Sequence, residues 1–175
     1  MGGDRVQVTL VLGGARSGKS RHAEGLVAGF APPWLYVATA EAGDGEMAAR
    51  IAAHRARRGV DWRTIEAPRD VAGVIAGAPA GAAVLVDCLT LWLSNLMLAD
   101  ADIAAETDRL IGALADARRP VVMVSNEVGL GIVPDHPLGR KFRDLQGVLN
   151  QRMAARADRV VLVVAGLPLA LKGSL

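Results

Sequence analysis

Gly13-Gly14-Ala15-Arg16-Ser17-Gly18-Lys19-Ser20 stands between an apolar run at residues 6–12 and a helix-like segment over 19–28. The order strand, glycine-rich loop, helix is the context in which G-x-x-x-x-G-K-S binds phosphate. The glycines let the backbone turn successive N–H groups inward, and the helix N-terminus adds its positive dipole end. Lys19 is spaced to reach the outer phosphates of a nucleoside triphosphate, and the Ser20 hydroxyl is a hard donor suited to Mg²⁺. A glycine-rich turn capped by Ser17 or Ser20 would explain the glycines but not the lysine.

The same alternation continues outward. Strands are expected at 34–38, 62–65, 83–86, 121–124 and 160–164. Helices are expected at 46–58, 71–76, 89–98, 103–118 and 138–157, with Ile103, Leu110, Ile111 and Leu114 marking one apolar face and Pro120 breaking the chain beyond it. Strands separated by helices predict an α/β fold: a mixed, mainly parallel sheet flanked by helices. The 175 residues suit one domain spanning 1–175. The glycine-rich turn at 77–81 and the tail after Gly166 are the nearest things to linkers, and neither divides the chain.

Composition narrows the function. Apolar residues make up 51% of the chain and aromatics only 3%, so Ala, Val, Leu and Ile must build the core, as buried parallel strands require. The formal charge is +2 with the basic residues scattered, which argues against nucleic acid as the partner. A single cysteine, Cys88, excludes an internal disulfide and is expected to be a buried thiol. No apolar run reaches the roughly 18 residues of a membrane span, and Asp4 and Arg5 before a short strand do not read as a signal peptide. A cytoplasmic protein without a membrane anchor is expected.

Two further positions carry candidate chemistry. Asp87 ends the run Ala83-Val84-Leu85-Val86, where the carboxyl ends of parallel strands face the ligand crevice. It can hold Mg²⁺ through water, or cap the helix that starts near Leu89. Met47, Ile51 and His54 fall at i, i+4 and i+7 of an arginine-rich segment, with Arg50 and Arg58 flanking the imidazole. These cations would attract triphosphate and keep His54 neutral, as attack on phosphorus requires. The alternative is a partly buried histidine beside a solvated arginine face. His22 and His136 lack these surroundings and read as local structural residues.

Together these segments resemble the bifunctional adenosylcobinamide kinase and adenosylcobinamide-phosphate guanylyltransferase family of cobalamin biosynthesis. The resemblance spans nearly the whole chain. It rests on the loop through Arg21, on Tyr36-Val37-Ala38-Thr39, Glu46 to Ile51 leading to His54, Trp62-Arg63-Thr64, Asp87-Cys88-Leu89-Thr90, Ser125 to Pro134, Phe142-Arg143-Asp144 and Asn150-Gln151-Arg152. It implies a RecA-like P-loop NTPase domain. It also implies two reactions: ATP or GTP phosphorylates adenosylcobinamide, then GMP passes from GTP through a histidine to adenosylcobinamide phosphate. His54 falls at the guanylylated position. The implied GTP contacts are Gly13, Gly14, Ala15, Arg16, Ser17, Gly18, Lys19, Ser20, Thr39, Ala40, Glu41, Arg55, Ala56, Arg57, Arg58, Glu66 and Asp87, with Ser20 and Asp87 toward Mg²⁺. Some relatives carry glutamate at the Asp87 position. Glu127 either orients substrate or water, or is a structural carboxylate. The resemblance also implies a homotrimer.

Two other readings compete. A small-molecule P-loop kinase without covalent chemistry would work without His54. A GTP-dependent binding module would change partner affinity between GTP and GDP, but the sequence lacks the guanine-specifying Asn-Lys-x-Asp segment.

Overall fold

Apolar residues that alternate within each strand build two buried layers, one on each side of a single sheet. The computed structural model describes residues 7–41 and 59–175. Its elements run β1 (Val8–Gly13), α1 (Lys19–Ala28), β2 (Trp34–Ala38), β3 (Trp62–Glu66), α2 (Val71–Gly77), β4 (Ala83–Asp87), α3 (Leu89–Leu98), α4 (Ile103–Asp116), β5 (Val121–Asn126), α5 (Pro137–Arg156), β6 (Arg159–Val164) and β7 (Leu167–Lys172). The expected helix over 46–58 lies outside the described residues.

The strand order is β3-β2-β4-β5-β1-β6-β7, parallel from β3 through β6 with β7 antiparallel at the edge. Strand β5 therefore lies between the phosphate-loop strand β1 and the Asp87 strand β4. Sequence pattern predicts a mixed, mainly parallel sheet, and this is one.

Because side chains alternate across a strand, Leu10, Leu12, Val84, Val86 and Met123 face one way, against Trp92, Leu93, Leu110, Leu114 and Leu149 of α3, α4 and α5. Val11, Leu85, Val122, Val124 and Val163 face the other, against Ala23 and Val27 of α1. Each fully buried Leu or Val contributes about 1.5–3 kcal/mol relative to exposure, which explains why an almost aromatic-free chain can hold this sheet. Trp92, wholly buried, donates its indole N–H to the Arg69 carbonyl at 2.7 Å and so leaves no polar atom unmet.

The tail holds a strand that the sequence reading left out. Residues after Gly166 are not a linker but β7, joined to β6 by the two-residue turn Ala165-Gly166, both with positive φ. That geometry matches the twist of a tight hairpin. Leu167, Leu169 and Leu171 alternate but stay exposed, so their pattern lacks the continuous apolar run that marks the inner strands.

Candidate nucleotide-binding site

Gly13 and Gly18 show why the phosphate loop needs its glycines. A Cβ on Gly13 would collide with Ser17 Oγ and lie 2.7 Å from the Val163 carbonyl. Gly18 precedes α1 with φ 95°, a left-handed conformation that side chains resist. Within the loop, Ser17 N–H donates to the Gly14 carbonyl at 3.3 Å, and Lys19 Nζ donates to the same carbonyl at 3.0 Å. The lysine is thus folded over the loop whose phosphates it would meet. The β6–β7 turn supports it from behind, since Gly166 N–H donates to the Ser17 carbonyl at 2.9 Å.

Gly13→Ala is therefore expected to reduce triphosphate affinity on the order of 10-fold or more, because backbone atoms cannot yield as a flexible side chain would. Isothermal titration checks it, with circular dichroism confirming that the sheet survives. Wild-type affinity would show that the loop relaxes without consequence.

Strand pairing brings the other predicted residues to the same edge. Glu66, Ala38 and Asp87 are paired neighbours across β3, β2 and β4. Their register puts them on the α1 face, in line with Tyr36 and Leu85. Thr39, Ala40 and Glu41 continue directly from β2. Asp87 does not cap the next helix: Cys88 occupies the N-cap position of α3, and no side-chain cap hydrogen bond forms there. Instead Asp87 Oδ2 accepts a hydrogen bond from the Tyr36 hydroxyl at 2.9 Å, which orients the carboxylate at the strand end.

Thr39 is fully buried, and its hydroxyl both donates to the Cys88 carbonyl and accepts from the Cys88 N–H, each at 2.7 Å. Its side chain thereby fixes the segment that carries Asp87 rather than facing a ligand. Asn95 Nδ2 ties the Thr39 carbonyl to that of Pro68, at 2.8 and 2.9 Å. Burial, then the negative charge of Asp87, raises the Cys88 thiol to about 11, against the opposing pull of the Leu91 and Thr90 N–H groups and Lys19. The thiol stays protonated at neutral pH, as expected of a structural cysteine.

Among the remaining candidates, Glu127 Oε1 accepts from the Gly129 N–H at 2.6 Å and so shapes its own turn. His136 caps α5 through Nδ1, which accepts from the Leu138 N–H at 3.2 Å. His22, on α1, is held below its ordinary pKa by burial and then by Arg159. Both read as local structural histidines. His54, Arg55, Ala56, Arg57 and Arg58 lie outside the described residues. Sequence reasoning missed Tyr36, Asn95 and Gly166 as supports of the site. Only contacts between residues far apart in the chain bring them there.

The donor set fits Mg²⁺. A serine hydroxyl and one carboxylate are hard oxygen ligands, and this ion ordinarily takes one or two carboxylates with water and substrate phosphates rather than a full protein cage. No helix among the described residues is long and apolar enough to cross a membrane.

Comparison with solved structures supports the architecture. The chain is similar to a type III secretion system ATPase, with TM-score 0.56, 10% identity and coverage of 94% of this chain and 56% of that one. It is also similar to a Pyrococcus horikoshii OT3 protein, with TM-score 0.58, 8% identity and coverage of 98% and 89%. At such identities the likeness shows the fold, a RecA-like α/β domain. Sequence comparison is more specific. Bifunctional adenosylcobalamin biosynthesis protein CobP of Pseudomonas aeruginosa is 51% identical over 167 residues, covering 94% of this chain and 96% of that protein. The corresponding protein CobU of Salmonella typhimurium is 46% identical, covering 93% and 98%. Residues 9–171 match the family model described as cobinamide kinase / cobinamide phosphate guanyltransferase. With a phosphate loop, a strand-end carboxylate and this match along nearly the whole chain, the protein belongs to the cobinamide kinase / cobinamide phosphate guanyltransferase family, enzymes of cobalamin biosynthesis.

Proposed function

We propose that this chain phosphorylates the aminopropanol hydroxyl of adenosylcobinamide with ATP or GTP. It then carries GMP from GTP on His54 to adenosylcobinamide phosphate, releasing pyrophosphate and adenosyl-GDP-cobinamide. The observation that carries this reading is the phosphate loop and Asp87 at the carboxyl ends of β1 and β4, one strand apart in the same sheet, in a chain matching the family over residues 9–171.

In the first reaction the loop N–H groups and Lys19 stabilise the charge that develops on the triphosphate as the γ-phosphoryl group leaves. Ser20 and Asp87 would hold Mg²⁺, which when bound neutralises charge on the β- and γ-phosphates. In the second, the His54 imidazole attacks the α-phosphorus and pyrophosphate departs, while Arg50, Arg57 or Arg58 offsets the negative charge and Arg55 and Ala56 join the GTP contacts. Thr39, Ala40, Glu41 and Glu66 complete the proposed nucleotide surroundings, with Thr39 acting through the position of Cys88. We assign residues 1–175 to one domain, with a homotrimer as the working assembly and the cytoplasm as its location.

Incubation with α-labelled GTP and Mg²⁺ tests the proposal. Label retained on the protein, lost in acid and transferred to adenosylcobinamide phosphate is the expected result. Corrinoid phosphorylation without retained label would leave only a kinase; nucleotide binding without turnover would leave a binding module.

Asp87→Asn separates the metal role from the fold. The amide oxygen can still accept from Tyr36, so the fold should persist, while the lost charge should lower Mg²⁺-dependent turnover about 10- to 100-fold. A magnesium titration of both proteins decides it, and unchanged turnover with an unchanged Mg²⁺ requirement would make Asp87 purely structural.

A further inference from the structure

Asn126 is the last residue of β5 and pairs laterally with Gly13 of the phosphate loop. The register Asp87↔Val124 places it two residues further along the strand than Asp87's own neighbour. Strand alternation sets its side chain on the same face as Val122 and Val124, the face that carries α1, Gly13 and Asp87. It therefore stands between the loop and the carboxylate, on the face covered by α1, the helix that Lys19 and Ser20 begin.

Its backbone is held on three sides. Asn126 N–H donates to Thr90 Oγ1 at 2.8 Å, its carbonyl accepts from Asn150 Nδ2 at 3.0 Å, and the next N–H, of Glu127, donates to the Gly13 carbonyl at 3.1 Å. Asn150 is itself set by a buried network. Ser125 Oγ donates to Asn150 Oδ1 at 2.7 Å, and Gln146 Nε2 donates to both, at 2.9 and 3.0 Å. Ser125 and Gln146 are completely buried and Asn150 nearly so. Burying three polar side chains is costly unless they meet one another, and here they converge on the peptide that carries Asn126. Yet Asn126 Oδ1 is buried without a partner. Gln146 Oε1, in the scaffold, is buried without a partner as well, so what sets Asn126 apart is its place between the phosphate loop and Asp87.

We propose that Asn126 Oδ1 accepts a hydrogen bond from the corrinoid's attacking hydroxyl and aligns it with the γ-phosphorus, with Asn150, Gln146 and Ser125 as its positioning scaffold. This rests on the kinase half of the proposed function. The step forms the bond from hydroxyl oxygen to γ-phosphorus, breaks the bond from γ-phosphorus to the β-bridging oxygen and releases the nucleoside diphosphate. The hydroxyl proton passes to a transferred phosphoryl oxygen and then to solvent. Asn126 takes no proton.

The test compares Asn126→Leu, near in size but without the acceptor, with Asn126→Asp, which keeps it. Three quantities are read: kcat for cobinamide phosphorylation, affinity for a non-hydrolysable triphosphate, and melting temperature. For Asn126→Leu we expect kcat to fall on the order of 10²-fold, triphosphate affinity to stay within about 3-fold, and the melting temperature to stay level or rise as the orphaned acceptor disappears. Asn126→Asp should turn over at least about 10-fold faster than the leucine variant. Wild-type kcat in Asn126→Leu, or a joint fall of kcat, affinity and melting temperature, would overturn the proposal. Wild-type protein unable to phosphorylate cobinamide would instead remove the assigned substrate, and this proposal with it.

Discussion

His54→Ala is expected to abolish the protein–GMP adduct and the formation of adenosyl-GDP-cobinamide, while adenosylcobinamide phosphate is still made. The two reactions break different bonds. Kinase transfer sends the γ-phosphoryl group to an alcohol, and it requires Lys19, Mg²⁺ and alignment but no protein nucleophile. Guanylyl transfer through a covalent intermediate needs a neutral imidazole at the α-phosphorus. Mass spectrometry after brief exposure to GTP should place one GMP on His54 of the wild-type protein, with pyrophosphate released. Full guanylyltransferase activity in the variant would remove His54 from the mechanism. So would an adduct on His22 or His136. The structure already places the latter two in other roles: His136 caps α5, and His22 lies partly buried on α1.

Lys19→Ala should lower turnover in both reactions on the order of 10²- to 10³-fold, the scale on which losing one preorganised charge-stabilising donor acts. It should also weaken triphosphate binding, because the lysine is held across the loop by its 3.0 Å bond to the Gly14 carbonyl. Linkage supplies an independent readout. A ligand at about 100 times its Kd stabilises the folded state by about 2.7 kcal/mol, so triphosphate should raise the wild-type melting temperature and leave the variant's nearly unmoved at the same concentration. Alanine suits the helical position that Lys19 begins, so the ligand-free proteins should melt close together. Normal affinity in the variant would remove the phosphate-loop assignment on which the other expectations depend.

Local pattern made much of the architecture legible. The bounds expected for α1, β2 and α3 coincide with those observed, because each begins or ends where apolar periodicity changes beside glycine, proline or a strand-end carboxylate. The loop was equally plain, since its function depends on residue types at fixed spacing along the chain. β7 was not. Its Leu-Pro-Leu-Ala-Leu-Lys alternation carries a proline and exposes its leucines, and only pairing with β6 makes it a strand.

Residue types and their spacing along the chain were enough for the α/β class, the phosphate loop, the candidate residues at strand ends and the family. Strand order belonged to the tertiary structure: contacts between residues far apart in the chain inserted β5 between the loop strand and the Asp87 strand. That insertion turned Asn126 from one letter of a motif into a buried, partnerless acceptor beside Gly13. Tertiary contacts also decided that Tyr36 holds Asp87, that Thr39 is occupied by Cys88 and that Gly166 supports Ser17. The physical reason is that periodicity records which side of an element is apolar, whereas a hydrogen bond between positions 36 and 87, or 17 and 166, depends on which strands become neighbours.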